Sequence, residues 1–221
     1  MAGGKVLEVS SIEELSNYGI SSVAVAVGVF DGVHLGHRKL LTELLNVAKM
    51  YHAVPVAMTF YPHPRELVNS RSAPQLLLPA EEKIRMLGQC GAEAVISIHF
   101  TKEFAAQAPD EFIESCLFSG GVEVKGLCVG QKWRFGAGAS GDSVFLERKA
   151  REKGFAFVPV DELRTPEGMI ISSTAIRKAL AEGNLDLAAF MLGGTILCSG
   201  LWRRGITTRR GSWIHRPRIF T

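Results

Sequence analysis

Cysteine is scarce in this sequence, and long apolar runs are missing. Only four cysteines occur among 221 residues, and no two stand at the C-x-x-C spacing that is typical of zinc sites. The longest candidate for a membrane span, Val23 to Phe30, has only the length of a strand. A disulfide scaffold, a structural zinc site and a membrane protein are therefore all disfavoured.

Several familiar signatures are also missing. The first residues run from Lys5 into Glu8, Glu13 and Glu14 without the apolar segment of a signal peptide, which predicts a cytoplasmic location, with an organelle matrix as the alternative. No G-x-x-x-x-G-K-[ST] loop occurs, and no G-x-G-x-x-G follows a predicted strand. A G-x-S-x-G elbow is likewise absent. The common kinase, dinucleotide and serine-hydrolase fingerprints therefore do not apply.

The composition is that of a folded protein, but the charge is unevenly distributed. Apolar residues make up 47% and charged residues 21% of the chain, which argues against disorder. The net charge of +3 includes six arginines after Gly200 and no acid there, so the other 19 basic residues face 22 acidic ones. The body is mildly acidic and the last residues are strongly basic.

Strand-like and helix-like segments alternate along the chain. Val23 to Phe30 is β-branched and apolar, as in a buried strand, and apolar residues at helical spacing follow it up to Ala48. Repeated alternation of this kind predicts an α/β fold with a parallel sheet. The further predicted strands are 54–60, 94–100, 122–129 and 155–160, and the predicted helices are 79–90, 109–117, 142–153, 172–183 and 184–193. Ligands of such sheets bind beyond the carboxyl ends of the strands, here expected at the loops after Val29, Phe60, Val129 and Ile171.

The first of these loops carries an H-x-G-H motif. His34 and His37 flank Gly36 where a strand passes into a helix. A helix start offers free N–H groups and a positive dipole end, and imidazoles can donate to phosphate oxygens. A polar turn with incidental histidines is the alternative, and the strand–helix context favours phosphate. We expect no metal site, because no third ligand is suitably spaced.

The second loop places three hydroxyl residues and an arginine at another helix start. Capping alone explains one of Ser172, Ser173 and Thr174, but not all three followed by Arg177. Hydroxyls, backbone N–H groups and a guanidinium together can hold a polyphosphate. By itself this segment reads as a well-capped helix, and beside the first motif it predicts a second phosphate-binding segment.

The other two loops are less specific. Pro62 and Pro64 stiffen the exit of a strand, which is first of all typical of a rigid turn. Aromatic and basic residues interleave from Gly130 to Gly136, as in a surface that stacks on a planar ring or on nucleic acid, or in a plain hairpin.

Taken together, Gly28-Val29-Phe30-Asp31-Gly32-Val33-His34-Leu35-Gly36-His37 and Ile171-Ser172-Ser173-Thr174-Ala175-Ile176-Arg177 resemble the H-x-G-H nucleotidyltransferase superfamily. Within it, the chain resembles the adenylyltransferase module of bifunctional riboflavin kinase/FMN adenylyltransferases over roughly residues 6–193. Phe60-x-Pro62-x-Pro64, Glu82-Lys83, Arg134-Phe135-Gly136 and Ala179-Leu180-x-x-Gly183-Asn184 also match. One departure is Lys132, where the family often has an aspartate.

The resemblance implies a Rossmann-like, doubly wound parallel sheet and the reaction of FMN with ATP to give FAD and diphosphate, with Mg²⁺ bridging phosphates. It implies small-molecule substrates, no nucleic acid and no membrane, and leaves the oligomeric state open. The implied catalytic residues are His34, His37, Ser173 and Arg177. The implied nucleotide-binding residues are Gly28, Phe30, Asp31, Gly36, Gly130, Ser172 and Thr174. The implied flavin-binding residues are Phe60, Pro62, His63, Pro64, Trp133 and Phe135.

Two alternatives stay open. Another adenylyl- or cytidylyltransferase of the superfamily would share both phosphate-binding segments without the Pro62 and Phe135 features. A catalytically idle flavin- or nucleotide-binding remnant is the other, although His34, His37 and Arg177 argue against decay of the site.

The domain prediction divides the chain at Gly193. Residues 1–193 are expected to form the adenylyltransferase domain, and residues 194–221 a non-globular basic tail that is a truncated or frameshifted start of a riboflavin kinase. Twenty-eight residues follow Gly193, too few for a kinase core. Read one base out of register, Ile214 to Phe220 can encode Ser-Pro-Thr-Ala-Asn-Ile, which resembles the kinase motif. A basic tail for an acidic partner is the alternative.

Overall fold

A six-stranded parallel sheet forms the centre of the molecule. The computed structural model describes residues 6–68 and 73–194. All five strand pairs are parallel, and the spatial order is β1-β4-β3-β2-β5-β6. The strands are β1 (Leu7–Val9), β2 (Ser22–Val27), β3 (Val54–Tyr61), β4 (Ala94–His99), β5 (Glu123–Gly130) and β6 (Ala156–Val160).

Helices cover both faces of this sheet. They are α1 (Leu35–Tyr51), α2 (Pro64–Val68), α3 (Ala80–Gln89), α4 (Lys102–Ala105), α5 (Pro109–Leu117), α6 (Ser143–Lys153), α7 (Ser173–Ala181) and α8 (Leu185–Met191), with short 3₁₀ turns at Glu13–Tyr18 and Ala137–Ala139. The structure therefore confirms the predicted doubly wound α/β class.

The two faces of β2 explain how α1 is seated. Val23 and Val25 face a large apolar cluster with α5 and α6, whereas Ala24 and Ala26 face α1. Small alanines let the helix lie close to the sheet. Gly126 on β5 serves the same end, because a Cβ there would lie 2.4 Å from Cγ1 of Val47.

The strand order creates a crevice beside β2. From β2 the chain proceeds through β3 to β4 on one side, then returns to place β5 and β6 on the other. Val27 at the end of β2 pairs with Met58 and with Val129, so these carboxyl ends meet at one edge of the sheet. Ligands of open α/β sheets bind at such a reversal of strand order.

Most predicted element boundaries are confirmed within one or two residues. Asp142 caps α6 by accepting from Phe145 N at 2.9 Å, and Gly154 ends it with φ 79°. The predicted helical ion pair joins Arg151 to Glu147 at 2.6 Å. The two capping residues were therefore enough to predict the bounds of this helix from the sequence.

Two predictions about strand ends are wrong. The strand expected to reach Phe30 ends at Val27, because Phe30 adopts φ 54° and the chain turns there. The loop at Ile171 does not follow a strand of the sheet, because only an isolated antiparallel bridge between Arg164 and Ile170 precedes it. The expected domain boundary after Gly193 stays a prediction, and the basic tail from residue 195 onward lies outside the described residues.

Candidate functional site

The start of α1 is built by a tight turn after β2. Phe30 and Val33 both have positive φ, 54° and 39°, which bends the chain back over the strand end. His34 then caps the helix, its Nδ1 accepting from the backbone N–H of His37 at 3.3 Å. Since Nδ1 accepts, the proton of the neutral ring lies on Nε2. His34 therefore has a ring N–H donor left for a ligand.

The two histidine rings stack on each other. Their centroids are 3.7 Å apart with an interplanar angle of 16°, and Phe30 meets the His37 ring edge-on at 5.2 Å. Burial lowers the pKa of His34 to about 4. Burial, the neighbouring imidazole and Lys83 lower the pKa of His37 as well. Both rings are neutral at neutral pH, and Nδ1 of His37 is buried without a partner among the described residues.

Gly36 brings the two predicted phosphate-binding segments together. A Cβ at Gly36 would lie 3.1 Å from the ring of His34 and 3.4 Å from the carbonyl oxygen of Ile171. Ile171 directly precedes the start of α7. The glycine thus lets the beginning of α1 approach the beginning of α7, so that two positive helix ends are adjacent.

Hydrogen bonds hold the start of α7 to the turn after β2. Ser172 caps the helix by accepting from Ala175 N at 3.2 Å. The hydroxyl of Ser173 donates to the carbonyl oxygen of Asp31 at 2.8 Å. Thr174 is exposed in the first turn of the helix. Residues that are more than 140 positions apart in sequence are therefore joined here.

An ion pair strengthens the same junction. Nη2 of Arg177 donates to Oδ2 of Asp31, and Nε donates to the carbonyl oxygen of Gln75 at 2.6 Å. Oδ1 of Asp31 accepts from Leu77 N at 2.8 Å. Burial raises the pKa of Asp31 although Arg177 opposes the shift. Arg177 keeps the N–H groups of Nη1 for a ligand while its other side is anchored.

A small apolar cluster of its own carries α7 and α8. It contains Leu77, Ile176 and Met191, all buried. Arg38 of α1 ties this cluster to the body through a bond from Nη2 to the carbonyl oxygen of Leu192 at 3.1 Å. The position of Arg177 is thus set by packing as well as by Asp31.

The predicted flavin side lies partly in a cleft at the end of β3. Phe60 and His63 line this cleft together with Val29, Asp31 and Tyr61. His63 Nδ1 accepts from Arg65 N at 3.1 Å, and burial with the charge of Arg177 lowers the pKa of His63. Pro62 and Pro64 are half-buried, and Pro64 begins α2. The rigid turn expected here is therefore the entry to a short helix.

Trp133 and Phe135 are farther away. They stack on each other with centroids 4.7 Å apart, and Phe112 contacts both rings. Through Phe104 and Phe112 this pair joins Phe60 in one continuous series of aromatic contacts. Phe135 is buried, so only Trp133 retains accessible surface.

Gly130 and Lys132 lie in the same loop as this aromatic pair, between Gly130 and Gly136. Gly130 ends β5, and nothing lies within 4 Å of a Cβ placed on it. Lys132 pairs with Glu162 at 2.8 Å on the surface. The other nucleotide-side glycine, Gly28, lies under the Phe30 ring, which would be 3.2 Å from a Cβ.

Sequence reasoning missed the role of Lys83. This lysine of α3 is only 9% exposed, and its ammonium donates to Thr59 Oγ1 at 3.0 Å. Burial lowers its pKa although Asp31 opposes the shift. A signal was present, because Lys83 and Leu87 stand four residues apart on the buried face of the helix.

Within residues 6–68 and 73–194, no group of three or more His, Cys, Asp or Glu side chains could hold a metal ion. Both Asp31 oxygens already have partners. Nor does any helix in these ranges combine the length and apolarity that a membrane crossing requires.

Known proteins are similar to this chain over most of its length. The family model described as FAD synthetase matches residues 19–175. The bifunctional riboflavin kinase/FMN adenylyltransferase of Escherichia coli K12 is 38% identical over 192 residues, and that of Bacillus subtilis is 31% identical over 194 residues; each alignment covers 87% of this chain. The chain spans 61% and 60% of the length of these relatives.

A solved structure shares the fold. A Streptococcus pneumoniae protein titled as a macrolide-efflux protein superposes with a TM-score of 0.70 at 24% identity, over 87% of this chain and 61% of that one. The fold and the paired helix starts define an α/β protein of the nucleotidyltransferase type. More particularly, the chain belongs to the FAD synthetase family.

Proposed function

We propose that this protein transfers the AMP group of ATP to the phosphate of FMN, giving FAD and diphosphate. Family membership supports the reaction. The single observation that carries the assignment of the site is the bond from Ser173 Oγ to the Asp31 carbonyl at 2.8 Å, which joins the two phosphate-binding segments. Adjacent helix starts offer backbone N–H groups and two positive dipole ends to one polyphosphate.

The chemistry asks for positioning more than for acid–base catalysis. An oxygen of the FMN phosphate forms a bond to the α-phosphorus of ATP while the bond from that phosphorus to the bridging oxygen breaks. The nucleophile is already anionic, so no protein base is required. The electron pair leaves with diphosphate, and protein donors stabilise the charge that develops.

The imidazoles are proposed to hold the reacting phosphates. His34 donates from Nε2, because its Nδ1 is occupied by the helix cap. His37 offers a ring whose Nδ1 has no protein partner among the described residues. Phosphate oxygens would accept from Nε2 of His34 and contact the ring of the half-buried His37, and the negative charge would raise both pKa values.

The start of α7 is proposed to hold the remaining phosphates and the departing diphosphate. Ser172 uses a lone pair as a cap and keeps its O–H for a ligand, and Thr174 is exposed at the same turn. Arg177 contacts phosphate through Nη1 while Asp31 fixes its orientation. Ser173 acts by holding this segment to the turn that also carries His34.

Mg²⁺ is proposed to arrive with ATP, coordinated mainly by phosphate oxygens, where it neutralises part of their charge. The flavin is assigned to the side of Phe60, Pro62, His63 and Pro64, with Trp133 and Phe135 at the far end of the aromatic contacts.

The experiment is incubation of the purified chain with FMN, ATP and Mg²⁺, followed by chromatography for FAD. We expect FAD and diphosphate in equal amounts, and no product from CTP. Tight binding of FMN and ATP without turnover would instead support a binding remnant, and turnover with a different acceptor would identify another transferase of the superfamily.

Two further predictions from the sequence stand as proposals. We expect a cytoplasmic location, which cell fractionation tests. The frameshift proposal concerns residues outside the described ranges, and the codons for Ile214 to Phe220 decide it.

A further inference from the structure

Lys83 places a buried cation beneath the candidate site. Its side chain leaves α3 and reaches the carboxyl ends of β2 and β3. There Nζ lies 3.0 Å from Thr59 Oγ1, 3.4 Å from the carbonyl oxygen of Val29 and 3.5 Å from that of Phe60. Three N–H groups thus face three neutral oxygens.

No carboxylate compensates this charge directly. Among the described residues, no Asp or Glu oxygen lies within 4.0 Å of Nζ of Lys83. Asp31 and Glu8 are both close enough to act on Lys83. Glu8 is exposed on β1, and the carboxylate of Asp31 is bound by Arg177 and by Leu77 N. A buried charge is costly unless an opposite charge or hydrogen bonds offset the lost hydration. Neutral oxygens do this only in part.

The charge faces the cleft at the end of β3, the side to which the flavin is assigned. Val29, Phe60 and Lys83 line it together with Tyr61 and His63. The charge of Lys83 contributes to lowering the pKa of His63 in this cleft and of His37 at the start of α1. With the histidines neutral, Lys83 and Arg177 leave the buried groups one positive charge in excess over Asp31. The Tyr61 ring is 53% exposed at the strand end and offers a surface for stacking.

We propose that Lys83 is a positioning residue for the flavin substrate: its ammonium, braced on the ends of β2 and β3, draws the phosphate of FMN into this cleft. The inference rests on the proposed function. The N–H groups of Lys83 already have acceptors, so it does not need to donate to the phosphate directly. It acts through its charge and by holding the carbonyl groups of Val29 and Phe60 in place. ATP is held at the start of α7 instead, so the two substrates depend on Lys83 unequally.

Two variants separate the charge from the hydrogen bonds. Lys83→Met removes both at similar length, whereas Lys83→Gln removes the charge and keeps an amide donor for Thr59 and the carbonyl groups. Lys49→Met is the control, because Lys49 is exposed in the last turn of α1, about 20 Å along the helix from its start. Calorimetric dissociation constants are measured for FMN, riboflavin and ATP, with thermal unfolding in the absence of ligand.

We expect both Lys83 variants to bind FMN about 10- to 100-fold more weakly, the scale for losing one partly buried charge interaction. Riboflavin has no phosphate, so its affinity stays unchanged, and the affinity for ATP changes less than about threefold. The unliganded Lys83→Met protein unfolds at the same or a higher temperature, because an uncompensated buried charge has been removed. Lys49→Met matches the parent chain throughout.

Other outcomes overturn the proposal. If Lys83→Met weakens FMN binding but Lys83→Gln does not, Lys83 acts through its hydrogen bonds and not through its charge. Failure of both variants to fold, or equal losses for riboflavin and FMN, would assign a structural role. If the parent chain makes FAD and the variants bind FMN normally, only this inference fails. If the parent chain binds neither substrate, the proposed function fails first.

Discussion

At the start of α1 two imidazoles stack on each other and leave a buried ring nitrogen without a partner among the described residues. At the start of α7, by contrast, Ser173 and Arg177 are both bound to Asp31. The first helix start has polar capacity left for a ligand, whereas the second is already braced. We propose that the start of α1 stabilises the charge that develops on the reacting phosphates, and that the start of α7 fixes the position of the other phosphates.

The sharpest way to break this comparison is to remove the unsatisfied ring. We expect His37→Ala to lower turnover by about two to three orders of magnitude, the usual scale for losing one transition-state donor. FMN affinity should change little. The helix cap survives, because His34 accepts from the backbone N–H of residue 37. FAD formation is followed by chromatography.

The matched control for that experiment is His52→Asn, at the opposite end of the same helix. His52 has φ 51°, a conformation that asparagine tolerates. Near-normal turnover in a folded His37→Ala protein would remove His37 from the proposed mechanism.

Acid titration probes the same helix start without a substrate. Burial holds the pKa of His34 near 4, below the ordinary 6.5, so the unfolded chain takes up this proton first as the pH falls. The free energy of unfolding therefore decreases from about pH 6.5 down to about pH 4, by up to about 3 kcal/mol from this residue. His34→Asn keeps a good cap and removes the titration. Thermal unfolding of both proteins from pH 7.5 to 4.5 should give a shallower loss for the variant; parallel curves would refute the assignment.

The substitution Arg177→Ala tests the start of α7. We expect the KM for ATP to rise about tenfold or more, the scale for losing one charged hydrogen bond, with a smaller change for FMN. Asp31 would also lose its cation, so the unfolding temperature should fall. The double variant Asp31→Asn/Arg177→Ala should recover stability without recovering ATP affinity. Equal effects on both substrates, or on FMN alone, would contradict this role.

The smallest expected difference compares two helix caps. Ser172→Ala and Asp142→Ala each remove one capping bond, at α7 and α6, and each should lower the free energy of unfolding by about 1 kcal/mol. Only Ser172→Ala should also raise the KM for ATP. Steady-state kinetics on both variants decide this, and an equal KM in the two would reduce Ser172 to a cap alone.

Local signals carried much of the fold. The bounds of α5 coincide with the prediction from Pro109 to Leu117, and Asp142 with Gly154 delimit α6. Three short elements, Leu7–Val9, Pro64–Val68 and Lys102–Ala105, were not predicted. Segments of three to five residues contain too little periodicity to be recognised.

The residues of the candidate site stay a prediction from two motifs, and the contacts that connect them were not predicted. The two motifs mark His34 and Arg177, yet the ion pair to Asp31 spans 146 positions and depends on how α7 packs. The four-residue spacing of Lys83 and Leu87 was the one local sign that Lys83 is buried. Its bond to Thr59 joins α3 to β3 and depends on tertiary packing.

The seating of α1 against the sheet has a mechanical consequence. Val47 rests where Gly126 has no side chain, three turns along the helix from His34. A methyl group at position 126 would push the C-terminal part of α1 away from the sheet. The whole helix would then tilt as a rigid body. The imidazoles at its other end would then tilt relative to the strand ends, so a single carbon atom placed well away from the phosphates would misalign the two rings while leaving their chemistry intact.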